Sequence, residues 1–335
     1  MPLQQELEDE VISAVRNFSN SINSGRKVDD MSLLVEATSQ LPLSNLEYWE
    51  RLIRWELSSK LQSHAQLKWK IWSEPTIFLT WIDLCSSDGY KREKTLRTLT
   101  GAAPNSFFFA IAVRRLNDWV PQVREAAREK IPLIAQASSP AHVVDALSLT
   151  LSHWSSWERM ADSDKQVLLN IVSSKNITDA LMSKIMSTAS GPLTSIFAQV
   201  GRTSVLDSHL SEISQNAIQP SVRAKAYRSQ LEGKMVWLEG REWEWTDIRY
   251  CKGRLKPILS ERKLTVATPF IETLKLASVD CSPIVRRVAA ETLIRELENL
   301  GAESFRLANL FASDASHSVA ERGMFALKKL GAKEV

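Results

Sequence analysis

The residues of this sequence with reactive or ligand-binding chemistry are histidines, cysteines, closely spaced carboxylates, and tryptophans set among charges. The five histidines, His64, His142, His153, His209 and His317, stand apart from one another. No two lie at the i, i+4 spacing that would place a pair of imidazoles on one helix face, so no metal site is expected. The three cysteines, Cys85, Cys251 and Cys281, are distant and odd in number, and no CxxC pair occurs. Neither a disulfide framework nor a thiolate metal site follows from that usage. Glycine-rich phosphate loops and the GxSxG nucleophile turn are absent from the sequence. The expectation is therefore no catalytic residues, no metal and no small-molecule cofactor.

One segment concentrates the rest of the chemistry. Residues 235–263 read MVWLEGREWEWTDIRYCKGRLKPILSERK. The first part is acidic, with Glu239, Glu242, Glu244 and Asp247 around Arg241. The second is basic, with Arg249, Lys252, Arg254, Lys256, Arg262 and Lys263 around Glu261. Trp237, Trp243, Trp245 and Tyr250 are interleaved, and the spacing of Trp243 and Trp245 fits an extended segment better than one helix face. Aromatic rings beside bases suit stacking and phosphate contacts. They equally suit a protein hot spot. Trp243, Trp245, Arg249, Tyr250, Lys252, Arg254 and Lys256 are the candidate partner-binding residues. Against this stands a solvated loop whose acids and bases pair while its tryptophans tuck onto neighbouring helices. Glu242, Glu244 and Asp247 have the chemistry for acid–base work, but loop carboxylates are usually just solvated.

The elements that must carry this segment are helical. The chain has 335 residues, 44% hydrophobic and 24% charged, the balance of a folded protein rather than a disordered one. Eleven glycines and twelve prolines are few for an all-β chain of this length. No apolar run approaches the roughly 20 residues that span a bilayer, so no membrane span is expected. The acidic start MPLQQELEDE has no apolar core for a secretory signal. A net charge of +3 says little about partners.

A spaced pattern recurs. DWVPQVREAA begins at Asp118 and DCSPIVRRVAA at Asp280; each sets Pro at plus three, Val at plus five and Arg at plus six. Pro220, Val222 and Arg223 repeat the second half, with Ala217 in place of the Asp. Weaker copies start at Asp314, where Ala320 replaces the Arg, and near Ser87, with Asp88 in the turn. Pro121 and Pro220 are 99 residues apart, three units of 33; Pro220 and Pro283 are 63 apart, close to two units. Such a period fits a unit of two helices. Ser282-Pro283 reads as a helix start, with Ile284, Val288, Leu293 and Leu297 on the apolar face and Gly301 as C-cap. Pro132 is expected to kink or end its helix. Trp49, Trp55, Trp69, Trp72 and Trp81 read as core of an N-terminal cap.

With these residues the chain resembles the HEAT-repeat family. The resemblance rests on Asp118, Val123 and Arg124, on Val222 and Arg223, and on Asp280, Val285 and Arg286. It implies an all-α fold, a right-handed α-solenoid of antiparallel helix pairs with an irregular insertion near 237–260. Residues 1–86 would form an irregular helical cap and 87–335 the repeats, one continuous solenoid with the insertion as a loop. In that reading Asp118, Arg124, Arg223, Asp280 and Arg286 form a structural ladder. The turn Asp accepts bonds from free amides at the next helix start, and the Arg fork reaches the Asp of its own or an adjacent unit. From the repeat series and the absence of any catalytic constellation, the function expected is a non-catalytic scaffold that binds a protein partner through its concave face and the Trp-rich basic insertion, and the cysteine usage makes a reducing cytoplasm its expected compartment. The alternative is a nucleic-acid-binding protein resembling the HEAT-like alkylpurine DNA glycosylases. That comparison carries over no catalytic residue.

Overall fold

The computed structural model describes residues 2–23, 31–65, 80–267 and 269–331. These residues form sixteen α-helices and one two-stranded antiparallel sheet, so the described chain is mostly helical. Among them no helix is long and apolar enough to cross a membrane, and no group of three or more His, Cys, Asp or Glu residues is placed to hold a metal. The chain divides into two compact units, Met1–Ala180 and Leu181–Val335.

The first unit contains α1 (Pro2–Asn23), α2 (Ser32–Ser39), α3 (Leu46–Ala65), α4 (Gly89–Thr98), α5 (Ser106–Arg114), α6 (Pro121–Ala137), α7 (Pro140–His153) and α8 (Asp162–Val172). Its centre is α5, where every residue from Phe107 to Val113 is buried. A helix apolar on all sides has nowhere to go but the core. Asn105 starts it by accepting a bond from the Phe108 amide, and α5 then packs against α7. In parallel, α4 packs on α6 and α6 on α8. Pro132 does not end α6, which continues to Ala137. Proline there removes one amide, the one that would bond the Arg128 carbonyl, and packing of Ile131, Ile134 and Ala135 holds the rest. Trp49 and Trp81 are core residues, whereas Trp55 is 75% exposed and fills no core. Trp69 and Trp72 lie outside the described residues.

The boundary between the units falls inside α9 (Lys175–Ser187). The second unit continues with α10 (Leu193–Val200), α11 (Leu210–Asn216), α12 (Pro220–Glu232), β1 (Lys234–Asp247), β2 (Lys252–Lys263), α13 (Phe270–Ser278), α14 (Pro283–Glu296), α15 (Ala302–Ala312) and α16 (His317–Gly331). Its core joins Ala224, Tyr227 and Leu231 of α12 to Leu274, Val285, Ala289, Leu293, Phe311 and Ala326 of the later helices. Helix α10 packs on α12, α12 on α14 and α14 on α16.

Four sequence expectations need correction here. The insertion is a regular antiparallel β-hairpin, not an irregular loop, and it begins and ends outside 237–260. Because Lys234–Lys263 takes 30 of the 63 residues between Pro220 and Pro283, the remainder is 33. The gap is thus one helical unit plus a hairpin, not two units, and α12 meets α14 directly. On α14 the inward residue of the first turn is Val285, fully buried, while Ile284 is 44% exposed. Gly301 is not a C-cap for α14; it has φ 52° and stands immediately before α15.

Candidate partner-binding site

The ladder residues lie where helices begin, and their geometry repeats. Arg223 of α12 gives two parallel bonds to Asp280, 3.0 and 2.9 Å. Arg286 of α14 does the same to Asp314, at 2.6 and 2.9 Å, and Arg92 of α4 to Asp118, at 2.9 and 2.6 Å. Each Asp also caps its own turn: Asp118 accepts from the Val120 amide, Asp280 from Ser282 and Asp314 from Ser316. The third guanidinium nitrogen turns back to the carbonyls six and five residues earlier. For Arg223 these are Ala217 and Ile218, for Arg286 Asp280 and Cys281, for Arg124 Asp118 and Trp119, and for Arg92 Ser86 and Ser87. One fork therefore ties the turn before its own helix to the aspartate of the following turn. By this register Ser86, not Asp88, occupies the rung position, and Asp88 caps α4 through the Tyr90 amide. Arg124 reaches no carboxylate among the described residues.

Buried arginine and carboxylate hold each other charged. For Asp280, burial by itself would raise the pKa; the Arg223 bond, the Ser282 amide and the Arg223 charge outweigh it and set the carboxyl below its usual range. Asp314 is lowered chiefly by its bond from Arg286.

The hairpin grows from this framework on a fixed root. Met235 is fully buried against Gly201, where an added Cβ would lie 2.3 Å from the methionine Cγ. Lys225 of α12 donates to the Val236 carbonyl at 2.6 Å, and Gln199 of α10 to the Leu238 carbonyl at 2.7 Å. Arg262 on β2 binds Asp207 with two bonds, 2.8 and 2.7 Å, and donates to the Gly201 carbonyl at 2.7 Å. Burial raises the Asp207 pKa, but Arg262 and Thr265 outweigh it and lower it overall. Trp237 donates to Glu239 at 2.8 Å, and the Arg202 guanidinium lies 5.3 Å from its ring centroid.

Beyond the root the hairpin is exposed, and its two faces differ. A register shift between Leu238 and Gly240 leaves Arg241 opposite Pro257, Trp243 opposite Leu255 and Trp245 opposite Gly253. These residues share one face. Trp243 covers Gly253, whose missing side chain makes room: a Cβ there would lie 2.5 Å from the indole. Trp245 meets Trp243 edge-on at 5.6 Å. Trp243, Trp245, Leu255 and Leu259 are 50%, 54%, 58% and 61% exposed, an apolar strip in water. At its inner end the strip enters a cavity of about 720 Å³ between the hairpin, α10 and α12, lined by Val236, Leu238 and Leu259.

The opposite face is charged and paired. Glu244 accepts from Arg254 at 2.8 Å and from Lys256 at 3.3 Å, and these two bonds are the main reason its carboxyl titrates below the usual range. At the tip Asp247 caps the turn through the Arg249 amide, Lys252 sits 5.7 Å from the Tyr250 ring centroid, and Tyr250 is 72% exposed. The candidate residues thus fall into three groups. Trp243 and Trp245 belong to the apolar face, Arg254 and Lys256 to the paired face, and Arg249, Tyr250 and Lys252 to the tip. Acids and bases do pair, but Trp243 and Trp245 do not tuck onto helices. Leu255 and Leu259 escaped the sequence reading, although their alternation with Lys256 in a strand is the signal that marks them. Compared with protein-family models, characterised proteins and solved structures, the chain matches none.

Proposed function

We propose that this chain is a non-catalytic helical-repeat scaffold of the HEAT-like kind that binds a protein partner through its β-hairpin. Support for a repeat arrangement comes from the recurring Arg fork and from the packing of α4 on α6, α6 on α8, α10 on α12, α12 on α14 and α14 on α16. The observation that carries the binding reading is the apolar strip of Trp243, Trp245, Leu255 and Leu259 on a rigidly rooted hairpin. Exposed contiguous apolar surface is costly unless something covers it, and tryptophan is enriched where binding energy concentrates. A partner segment with apolar anchors lies along the strip and fills the adjoining cavity. The hairpin favours a protein over a phosphate backbone because Arg254 and Lys256 already have Glu244 as counter-charge.

The test is affinity capture with the full chain and its W243A/W245A variant, followed by cross-linking. The expected result is a protein cross-linked to residues 240–259 and lost from the variant. A partner retained by the variant, or binding confined to single-stranded nucleic acid, refutes the reading.

A further inference from the structure

The first unit holds a second recess with a different chemistry. It encloses about 660 Å³ beside α3, the end of α5 and the turns at 117–120 and 156–159. Six guanidinium groups line it, those of Arg51, Arg54, Arg92, Arg114, Arg115 and Arg159. Three carboxylates face them: Glu47, Glu50 and Asp118. Six against three leaves three positive charges in excess within one concavity.

The buried acids fix most of these arginines. Glu50 receives Arg115 at 2.6 Å, Arg54 at 2.5 Å and Arg114 at 3.0 Å. Asp118 receives Arg92 at 2.6 Å and Arg115 at 3.0 Å. Arg115 is shared by both acids and also donates to the Ile111 carbonyl, so it is saturated. Burial would raise the Glu50 pKa, but the charges of Arg115, Arg114 and Arg54 overcome it and keep the carboxylate ionised. This network is a frame and leaves little room to take a ligand itself.

Two forks remain. The guanidinium groups of Arg51 and Arg159 have no carboxylate or carbonyl acceptor among the described residues. Arg159 is nonetheless placed. Its guanidinium lies 3.2 Å from the ring centroid of Trp119, and its amide donates to Asn117 Oδ1 at 3.0 Å. A stacked guanidinium has its plane fixed while its N–H edges stay available, which suits a tetrahedral oxyanion. Trp119 is itself 77% exposed. A concavity with uncompensated charge also focuses potential and draws anions toward it.

We propose that this recess binds a multiply charged phosphate ligand, with Arg51 and Arg159 as its free forks and the frame around Glu50 holding the surrounding positive charge. The proposal does not depend on the hairpin reading, since every residue in it belongs to the first unit.

The test is calorimetric titration of the full chain with inorganic pyrophosphate, at low and at physiological ionic strength. The expected result is saturable binding, weaker at higher salt, and roughly 100-fold weaker in R51Q/R159Q, about tenfold for each charge-assisted contact removed. Neither guanidinium makes a hydrogen bond or ion pair among the described residues, and the Arg159 stack on the exposed Trp119 ring is a weak contact, so the double variant melts within a few degrees of wild type. R249Q, on the hairpin tip, binds as wild type. ATP titrated in parallel separates two sources of the phosphate: an affinity gain over pyrophosphate that W119A abolishes marks a nucleotide whose base stacks in the recess. No saturable pyrophosphate binding, or equal binding by R51Q/R159Q, overturns the proposal.

Discussion

Arg223 and Asp280 are 57 residues apart in the chain and meet through two parallel bonds, 3.0 and 2.9 Å, with both side chains 8% exposed. The hairpin lies between them in sequence, yet the fork joins α12 to the turn that opens α14 as if the hairpin were not there. Removing one partner leaves a buried charge without its counter-ion, which costs about 3 kcal/mol or more. Asp280→Ala also loses the cap on the Ser282 amide, so it should destabilise more than Arg223→Ala. Arg223→Lys keeps the charge but not the fork, nor the contacts to the Ala217 and Ile218 carbonyls, and should still lose about 1–2 kcal/mol. Urea denaturation of the three variants measures this. A R223K variant as stable as wild type would show that charge alone, without bidentate geometry, holds the joint.

The same aspartates make the second unit acid-sensitive. Asp207, Asp280 and Asp314 all titrate below the ordinary carboxylate value in the folded chain. A lowered folded pKa means the unfolded chain takes up protons first as pH falls. The stabilisation is therefore complete well above about pH 4, the unfolded carboxylate value, and disappears as pH drops through it toward the folded values. Urea midpoints should be level from pH 7 to about pH 5 and fall steeply below that. Asp314→Asn removes one titrating group, so the variant should be weaker at neutral pH and lose less on acidification. An unchanged pH slope in D314N contradicts this assignment.

How far these features were legible in the sequence depends on whether each is local. The helix starts at Pro121, Pro220 and Pro283 are local, and so is the capping of α14 by Ser282. The spaced Asp and Arg could be read as a ladder, but not which Asp each Arg meets, because that partner sits 26 to 57 residues away. Asp88 illustrates the limit: it is the acid in the turn itself, yet Ser86 holds the rung position through its carbonyl, a group every residue has. The hairpin was visible as a break in helical pattern, and the two-residue spacing of Trp243 and Trp245 pointed to extended backbone. Its faces depend on the register shift at Leu238 and Gly240, which no composition records. The arginine recess was not legible at all. Its residues come from separate stretches between 47 and 159, and only tertiary packing gathers them.

Gly323 offers a sharper test of packing. It is buried on α16, where an added Cβ would lie 2.1 Å from the Ala312 amide nitrogen and 2.5 Å from the Phe311 carbonyl carbon. Backbone cannot swing aside as a side chain can, so α15 and α16 must separate. In an exposed helix Gly→Ala stabilises by up to about 1 kcal/mol. Here the sign should reverse, with Gly323→Ala losing about 2–3 kcal/mol as overpacked cores do. Gly331, at the end of the same helix, has open space around its Cβ position and serves as the control. Equal effects of G323A and G331A on the urea midpoint would mean that the two helices are not in backbone contact.

The hairpin's charged face makes a prediction opposite in kind, a gain rather than a loss. Glu244 is the counter-charge for both Arg254 and Lys256. Glu244→Gln keeps the shape and an acceptor oxygen but frees both cations to meet phosphate. If the face is neutral because of Glu244, E244Q should elute from heparin at higher salt than wild type and bind single-stranded DNA with a steeper salt dependence, since more counter-ions are released. Trp243 and Trp245 lie on the other face, so W243A/W245A should leave heparin elution where it was while abolishing partner capture. The two variants thus separate charge from apolar contact on a single hairpin. Identical heparin elution of E244Q and wild type would mean that Arg254 and Lys256 already face anions unhindered, and the argument for a protein partner over a phosphate backbone would lose its basis.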